Sequence, residues 1–455
     1  MNKQVDQWID AHKDTLVCAL QDIIRFPSVS GAAAPDAPFG KPVREALDYA
    51  LSLCEGFGFD VCDLDGYMGY ADCGEGAETL GVLTHLDVVP AGDGWTHDPY
   101  GASIADGRIY GRGTLDDKGP AIAAIFALAA IKSCGLPFTR KVRLMMGCDE
   151  ECGMGCMKYY IENRPLPDLA FSPDADYPLV NSEKGIFHCS YTKKFPSAIR
   201  LNAGTVVNAV PDKATAFVPI PLADVIPLAD AFSAKEGFPC TLDSTQGGTS
   251  ISLAGVGAHA SMPEDGQNAL LGMLALLSTL PLGDADAAAV QALHNTFRFD
   301  RHGETIGIDC TDESGRLTCN PGLMQWDSEG YTICIDIRYP ITMDNDLLLA
   351  KLDAAIAGAR SDTMFKAGHF VPEDSELVQK LLAVYEARSG QYLPPKRIGG
   401  GTYARCIGNA VAFGPEIPGG DNRIHMADEF MSVDDLVYHT KMIADAMIAL
   451  ATNNE

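Results

Sequence analysis

The stretch from Thr79 to Gly147 constrains the fold more than any other part of the chain. Two apolar runs, "TLGVLTHLDVV" and "KVRLMMG", have the length and composition of buried strands, and "AIAAIFALAAI", Ala121 to Ile131, lies between them. That run falls well short of the roughly 20 residues needed to span a bilayer, so it reads as a buried helix. Strand, helix, strand in this order is the unit of a largely parallel sheet. "LAFSPDA" near residue 170 and "NAVAFGP" near 411 add further strands. What separates them, residues 184–371, has hairpin and helix signals of its own, including "GVGAHASMPEDGQNALLGMLALLSTL" and "YTICIDIRYP". The expected architecture is α/β: a mixed, mostly parallel sheet flanked by helices over 1–183 and 372–455, with an inserted α+β domain over 184–371.

Composition removes several function classes. Among 455 residues, 34 are Lys or Arg and 61 are Asp or Glu, a formal charge of -27 that repels phosphate backbones and anionic membrane surfaces. No nucleic-acid or membrane partner is expected. The opening "VDQWIDAHKDTLVCALQDII" places apolar residues near helical spacing with charges between, unlike a secretory signal, which points to a cytoplasmic protein. Fourteen cysteines are scattered without a C-x-x-C pair and are expected to be reduced thiols. Cys148, Cys152 and Cys156 have the i, i+4, i+8 spacing of a helix face and imitate a soft-metal site, but structural zinc sites close with tighter pairs.

Ligands of open α/β sheets gather at the carboxyl ends of the strands, and polar residues fall there repeatedly. His85 and Asp87 end "TLGVLTHLDVV"; Asp116 and Asp117, in "GRGTLDDKGP", precede the apolar helix; Glu150 and Glu151 follow "KVRLMMGCD"; Asp174 ends "LAFSPDA"; His425 comes after "AVAFGP". Taken singly, each has an ordinary explanation as a structural histidine, a turn, a cap or a solvated loop. Together they supply imidazole nitrogen and carboxylate oxygen in proportions that suit zinc or manganese. A carboxylate can bridge two cations roughly 3.5 to 4 Å apart, and Asp116 is the candidate bridge. One cation would take His85 and Asp174, the other Glu151 and His425, with a water or hydroxide shared between them. Four positive charges then meet four negative ones. Glu150 is left as an unligated carboxylate placed to act as general base, and Asp87 as the group that fixes the His85 tautomer. Asp117 has no ligand role and shapes the turn.

These residues, in this order, resemble the co-catalytic metallopeptidases that include carboxypeptidase G, acetylornithine deacetylase, DapE, aminoacylase and the PepV-type dipeptidases. "THLDVVP", "GRGTLDDKGP", "CDEECG", "SPDADYP" and "HMADEF" carry the likeness across nearly the whole chain, and "SEKG" and "GGGTYAR" bring it nearest to the PepV-type branch. The resemblance implies the same five ligands, Glu150 as base, and a cis peptide after Asp116. It also implies that the insert is a lid whose Asn208, His259 and Arg338 reach substrate, His259 toward the oxyanion, with Gly400, Gly401 and Thr402 alongside. The expected activity is hydrolysis of unprotected dipeptides, with broad side-chain tolerance and a metal-bound water as nucleophile. Its cofactors are two divalent ions, zinc with manganese or cobalt as alternatives, and its state is a monomer or homodimer. An N-acyl amino acid deacylase or carboxypeptidase on the same core is the alternative. A non-catalytic binding protein of this fold is disfavoured by the intact Glu150 and ligand set.

Overall fold

The computed structural model describes residues 1–453 and divides into two compact units. The first is built from Met1–Ser182, His369–Lys396 and the chain from Gly401 onward; the second is Glu183–Gly368 with Arg397–Gly400. The second unit therefore stops short of residue 371 and takes in a four-residue return segment that the sequence reading leaves in the final stretch.

At the centre of the first unit, strands Lys141–Gly147, Thr79–His85, Leu169–Ser172 and Ala410–Ala412 lie side by side and parallel. Antiparallel strands flank them, Met68–Cys73 on one side and Val180–Glu183 on the other, so the sheet is mixed with a parallel middle. The helix Lys118–Ser133 covers it, and every residue from Ala121 to Ile131 is no more than 2% exposed. An all-apolar helix needs neighbours on every side. It has the sheet beneath it and the helices Lys13–Ile24 and Val433–Ala451 around it.

Two boundaries differ from the sequence pattern. The strand expected to run through Val89 ends at His85: Leu86 N–H makes the last bond to the neighbouring strand, at the Gly147 carbonyl, and Val88 N–H turns away to the Ser28 carbonyl. The N-terminal helical pattern is two helices, Lys3–Ala11 and Lys13–Ile24. His12 separates them, its Nδ1 2.8 Å from the Trp8 carbonyl and its ring stacked on the Trp8 indole. A side chain that bonds a carbonyl one turn back competes with the helix ladder.

The second unit is an antiparallel sheet in the order Cys240–Thr245, Gly248–Ala254, Lys213–Val218, Arg200–Ala203, Thr318–Asp327, Gly330–Tyr339, Gly185–Lys194, Ala359–Lys366. Strand Gly248–Ala254 alternates between buried and less buried residues, the pattern of a sheet with one covered face. Helices Leu222–Glu236, Ala269–Leu277, Asp284–Phe297 and Asn345–Ala355 contribute Val225, Leu274, Val290 and Leu348 to its core.

Candidate metal centre

Register decides what the first sheet presents. His85 pairs with Gly147, so the loop Cys148–Glu151 leaves its strand directly beside His85, and Asp174 lies two residues past the neighbouring strand. The turn holding Asp116 precedes the buried helix, and the chain leaving Ala410–Ala412 returns through His425. Gly147 must be glycine: a Cβ there would sit 2.1 Å from the Tyr403 hydroxyl oxygen. Tyr403, which the sequence reading passed over, is fully buried and meets Cys156 Sγ at 2.8 Å, edge-on to the His85 ring.

Two donor groups result, His85 with Asp116 and Asp174, and Asp116 with Glu151 and His425, each with its donor atoms within 4.8 Å of one another. Asp116 belongs to both. Its Oδ1 is 2.9 Å from His85 Nε2 and its Oδ2 is 3.0 Å from His425 Nε2, so one carboxylate faces two imidazoles with its two oxygens. His85 Nδ1 lies 2.9 Å from the Asp87 backbone carbonyl, which can only accept, so Nδ1 carries the proton and Nε2 offers its lone pair. That buried Nε2 has no aligned hydrogen-bond partner, and neither has Glu150 Oε1. Nitrogen and oxygen donors of this mix, with an orphaned imidazole lone pair, fit a pair of divalent cations.

The Asp87 carboxylate has a different task from the one expected of it. It stands 3.6 Å from His85 Nδ1 and accepts instead the backbone N–H groups of Glu150 and Glu151, each at 3.1 Å. It holds Glu150 and Glu151 by their backbone, while its carbonyl fixes the imidazole. Asp117 accepts the His85 N–H at 3.0 Å and follows a cis peptide bond from Asp116. Among the described residues no candidate donor group contains a cysteine. Cys148 ends beyond a strand, Cys152 lies in a turn and Cys156 on a helix, so the three share no helix face.

Glu429 is a second residue that sequence reasoning missed. It is fully buried, and its carboxylate accepts from Arg112 Nη1 at 2.6 Å, Gly113 N at 3.0 Å, Leu115 N at 2.8 Å and Asp116 N at 3.3 Å. The Gly113 backbone, at φ 90°, turns its amide into this cradle. Asp428 does the same for another loop, accepting from Thr96 and His97. The signal was present, two adjacent acids after His425 in "HMADEF", but their partners are backbone amides far away in sequence.

Electrostatics follow from crowding. Burial opposes charge on His425, but Asp116 and Glu151 outweigh it and push its pKa up to about 10; His85 is likewise raised, against burial, by Asp116 and Asp174. Asp116 is held well below the carboxylate range, since the two imidazoles overcome its burial. Burial, with the Asp116 charge, pushes Asp174 up to about 7, and burial with the Asp174 charge raises Glu150 and Asp117. In the metal-free protein the His425 imidazole therefore holds its second proton at neutral pH, and a cation must displace it. Sign and window follow: below about pH 10 the apparent affinity rises with pH, by about tenfold per unit for each proton displaced. Zinc titrations at pH 6 and pH 8 are expected to differ by at least about a hundredfold; equal affinities would contradict this picture.

The residues attributed to the insert lie in the second unit. Asn208 and His259 are neighbours, because Ala209–Val210 pairs antiparallel with Ala258–His259 and the Asn208 carbonyl accepts from Ala260 N. His259 Nδ1 is 2.6 Å from Ser261 Oγ. Arg338 is buried and bidentate on Asp336, at 2.8 Å twice, with Nη1 on the Gly399 carbonyl at 2.7 Å. One hydrogen on each terminal nitrogen remains. Gly400 belongs to the second unit and Gly401 and Thr402 to the first, where Thr402 Oγ1 caps the turn Tyr403–Cys406.

Comparison with known proteins decides the family. The model of "Peptidase family M20/M25/M40" matches residues 81–449. The chain belongs to this peptidase family. "Putative dipeptidase YtjP" of Bacillus subtilis (strain 168) is 36% identical over 99% of the chain and 100% of its own length. "Beta-Ala-Xaa dipeptidase" of Lactobacillus delbrueckii subsp. lactis is 32% identical over the full length of both. Among solved structures, human carnosine dipeptidase 1 superposes with a TM-score of 0.62 over 98% of both chains at 16% identity, a likeness of fold. The M20/M25/M40 peptidase thus has an α/β fold, and its two donor groups suit two divalent cations.

Proposed function

We propose that this M20/M25/M40 peptidase is a dinuclear metal-dependent dipeptidase that hydrolyses unprotected dipeptides with broad side-chain tolerance. The observation that carries the reading is a single carboxylate, Asp116, shared by two His/carboxylate donor groups, with the unpartnered Glu150 on the same loop as Glu151. His85, Asp116 and Asp174 would hold one cation, Asp116, Glu151 and His425 the other, and zinc is the proposed ion, with manganese or cobalt as alternatives. When bound, such a pair supplies Lewis acidity toward the scissile carbonyl and lowers the pKa of water. Glu150 takes a proton from the attacking water as its oxygen joins the carbonyl carbon. It then returns that proton to the nitrogen as the C–N bond breaks. Burial raises its pKa above the usual carboxylate value, the direction that suits a group that must both accept and donate a proton. His259 is proposed to meet the developing oxyanion, and Asn208, Arg338 and the segment Gly400–Thr402 the substrate's carboxylate. Fourteen free cysteines suit a reducing compartment, and the cytoplasm is the proposed location.

The names of the two curated relatives support a dipeptide substrate. The test compares kcat/KM for one dipeptide, its N-acetylated form, its C-terminal amide and a tripeptide extension. The free dipeptide is expected to be fastest, since both of its charged ends are read. Faster cleavage of the acetylated form would favour the N-acyl amino acid deacylase, and equal rates on longer peptides a carboxypeptidase.

A further inference from the structure

A pocket of about 290 Å³ lies within the first unit against Leu115, the residue preceding the shared ligand Asp116. That is just below the roughly 300 to 1,000 Å³ of drug-sized small-molecule sites, a size for one amino-acid residue. Leu115, Ile417, Phe430 and Tyr438 give it apolar walls, and Glu416 and Asn422 give it polar ones.

Glu416 is fixed there by the same segment that carries a metal-ligand candidate. Pro415–Glu416 pairs in parallel with Ala175–Asp176, immediately after Asp174, and Tyr177 N–H donates to the Glu416 carbonyl at 2.9 Å. The two carboxylates of this ladder are treated differently. Lys396 neutralises Asp176 at 2.6 Å, whereas Glu416 accepts from the Asn422 amide, which neutralises nothing. Among the described residues no lysine, arginine or histidine forms an ion pair with Glu416. The rest of the lining leaves the pocket acidic on balance. Asp421 and Asp435 add two more carboxylates, the Arg108 guanidinium sits over the Phe430 ring, and burial pushes His439 down to about 3, so that it is neutral. Burial, then Asp176, pushes Glu416 up to about 7 although Lys396 acts to lower it, and Asp116 and Asp174 add to the rise. An acidic pocket with a carboxylate that no ion pair neutralises recognises a cation attached to a small apolar body.

We propose that this pocket takes the N-terminal residue of the substrate and that Glu416 binds its ammonium group. The inference rests on the dipeptidase reading and deepens it. It also divides the work between two carboxylates. A Glu150 paired to an ammonium would lose the basicity it needs to take a proton from water, and a separate partner for the amine leaves it free. Discrimination between a free and an acylated amine then belongs to Glu416.

Glu416→Gln keeps the shape and removes the charge. The comparison uses the metal-loaded protein, with L-alanyl-L-alanine and its des-amino analogue propionyl-L-alanine as the two substrates. The parent is expected to prefer the dipeptide, and the variant to lose roughly 10- to 100-fold in kcat/KM for it, mainly through KM, the scale of one charge-assisted hydrogen bond. Propionyl-L-alanine should be cleaved by both at similar rates, and Glu416→Asp should recover part of the preference. Metal content by elemental analysis and thermal melting should match the parent, which separates lost recognition from lost structure. A parent that prefers the dipeptide together with a Gln variant that keeps that preference overturns the role of Glu416 alone. A parent that prefers propionyl-L-alanine, or cleaves neither, overturns the dipeptidase reading and the pocket's assignment with it.

Discussion

Replacing Glu150 by glutamine is expected to lower kcat by about 10²- to 10⁴-fold, the range of a lost general acid–base group. Glutamine has nearly the same volume and can still accept the contacts of its neighbours, but it cannot take a proton from water or return one to the leaving nitrogen. Glu150 belongs to neither donor group, and its backbone is held independently by the Asp87 carboxylate. Metal content should therefore stay at the parent's level. KM should change little, because the proton transfers occur only on the way through the transition state. The pH profile gives a second reading: the limb that reports Glu150 ionisation should disappear from the residual activity. A variant with near-parental turnover and full metal content would remove Glu150 from the chemistry, while one that loses metal would make it a ligand.

Much of this centre was legible because its side chains stand at the ends of strands whose pattern is hard to mistake. "KVRLMMG" is the strand Lys141–Gly147 residue for residue, and once it lies beside Thr79–His85 the register brings His85 next to the loop with Glu150 and Glu151. Imidazoles and carboxylates announce themselves by type. What stayed hidden works through the backbone. The Asp87 carbonyl and carboxylate do separate jobs, and no residue code distinguishes them. Glu416 owes its position to a two-residue ladder with Ala175–Asp176, too short to leave a periodic signal. The return of Arg397–Gly400 to the second unit is likewise a matter of tertiary pairing, as Lys184 N–H bonds the Ile398 carbonyl. Patterns of burial are written in the sequence; the partners of amides and carbonyls are settled by the fold.

Glu429 shows the energetic weight of such hidden pairing, and Glu429→Ala is expected to destabilise the protein by about 3 to 5 kcal/mol, the cost of breaking a buried ion pair by removing one partner. Arg112 and Glu429 are both buried, with side chains 2% and 0% exposed, and Nη1 meets the carboxylate at 2.6 Å. Arg112 Nε already lacks a partner, and Nη2 has a 3.2 Å bond to the Ala91 carbonyl, so without Glu429 a guanidinium would remain buried with little to compensate it. The amides of Gly113, Leu115 and Asp116 would lose their acceptor in the same step. Because these amides shape the turn that delivers Asp116, the variant should also bind metal more weakly than its stability alone explains. Urea denaturation of the metal-free protein isolates the folding term, and a metal titration under folding conditions reads the second. Glu429→Gln retains one acceptor oxygen for the amides and should fall between parent and alanine in both. A parent-like urea midpoint for the alanine variant would show that water replaces the carboxylate at this site, and an unchanged metal affinity would confine Glu429 to folding, with no part in setting Asp116.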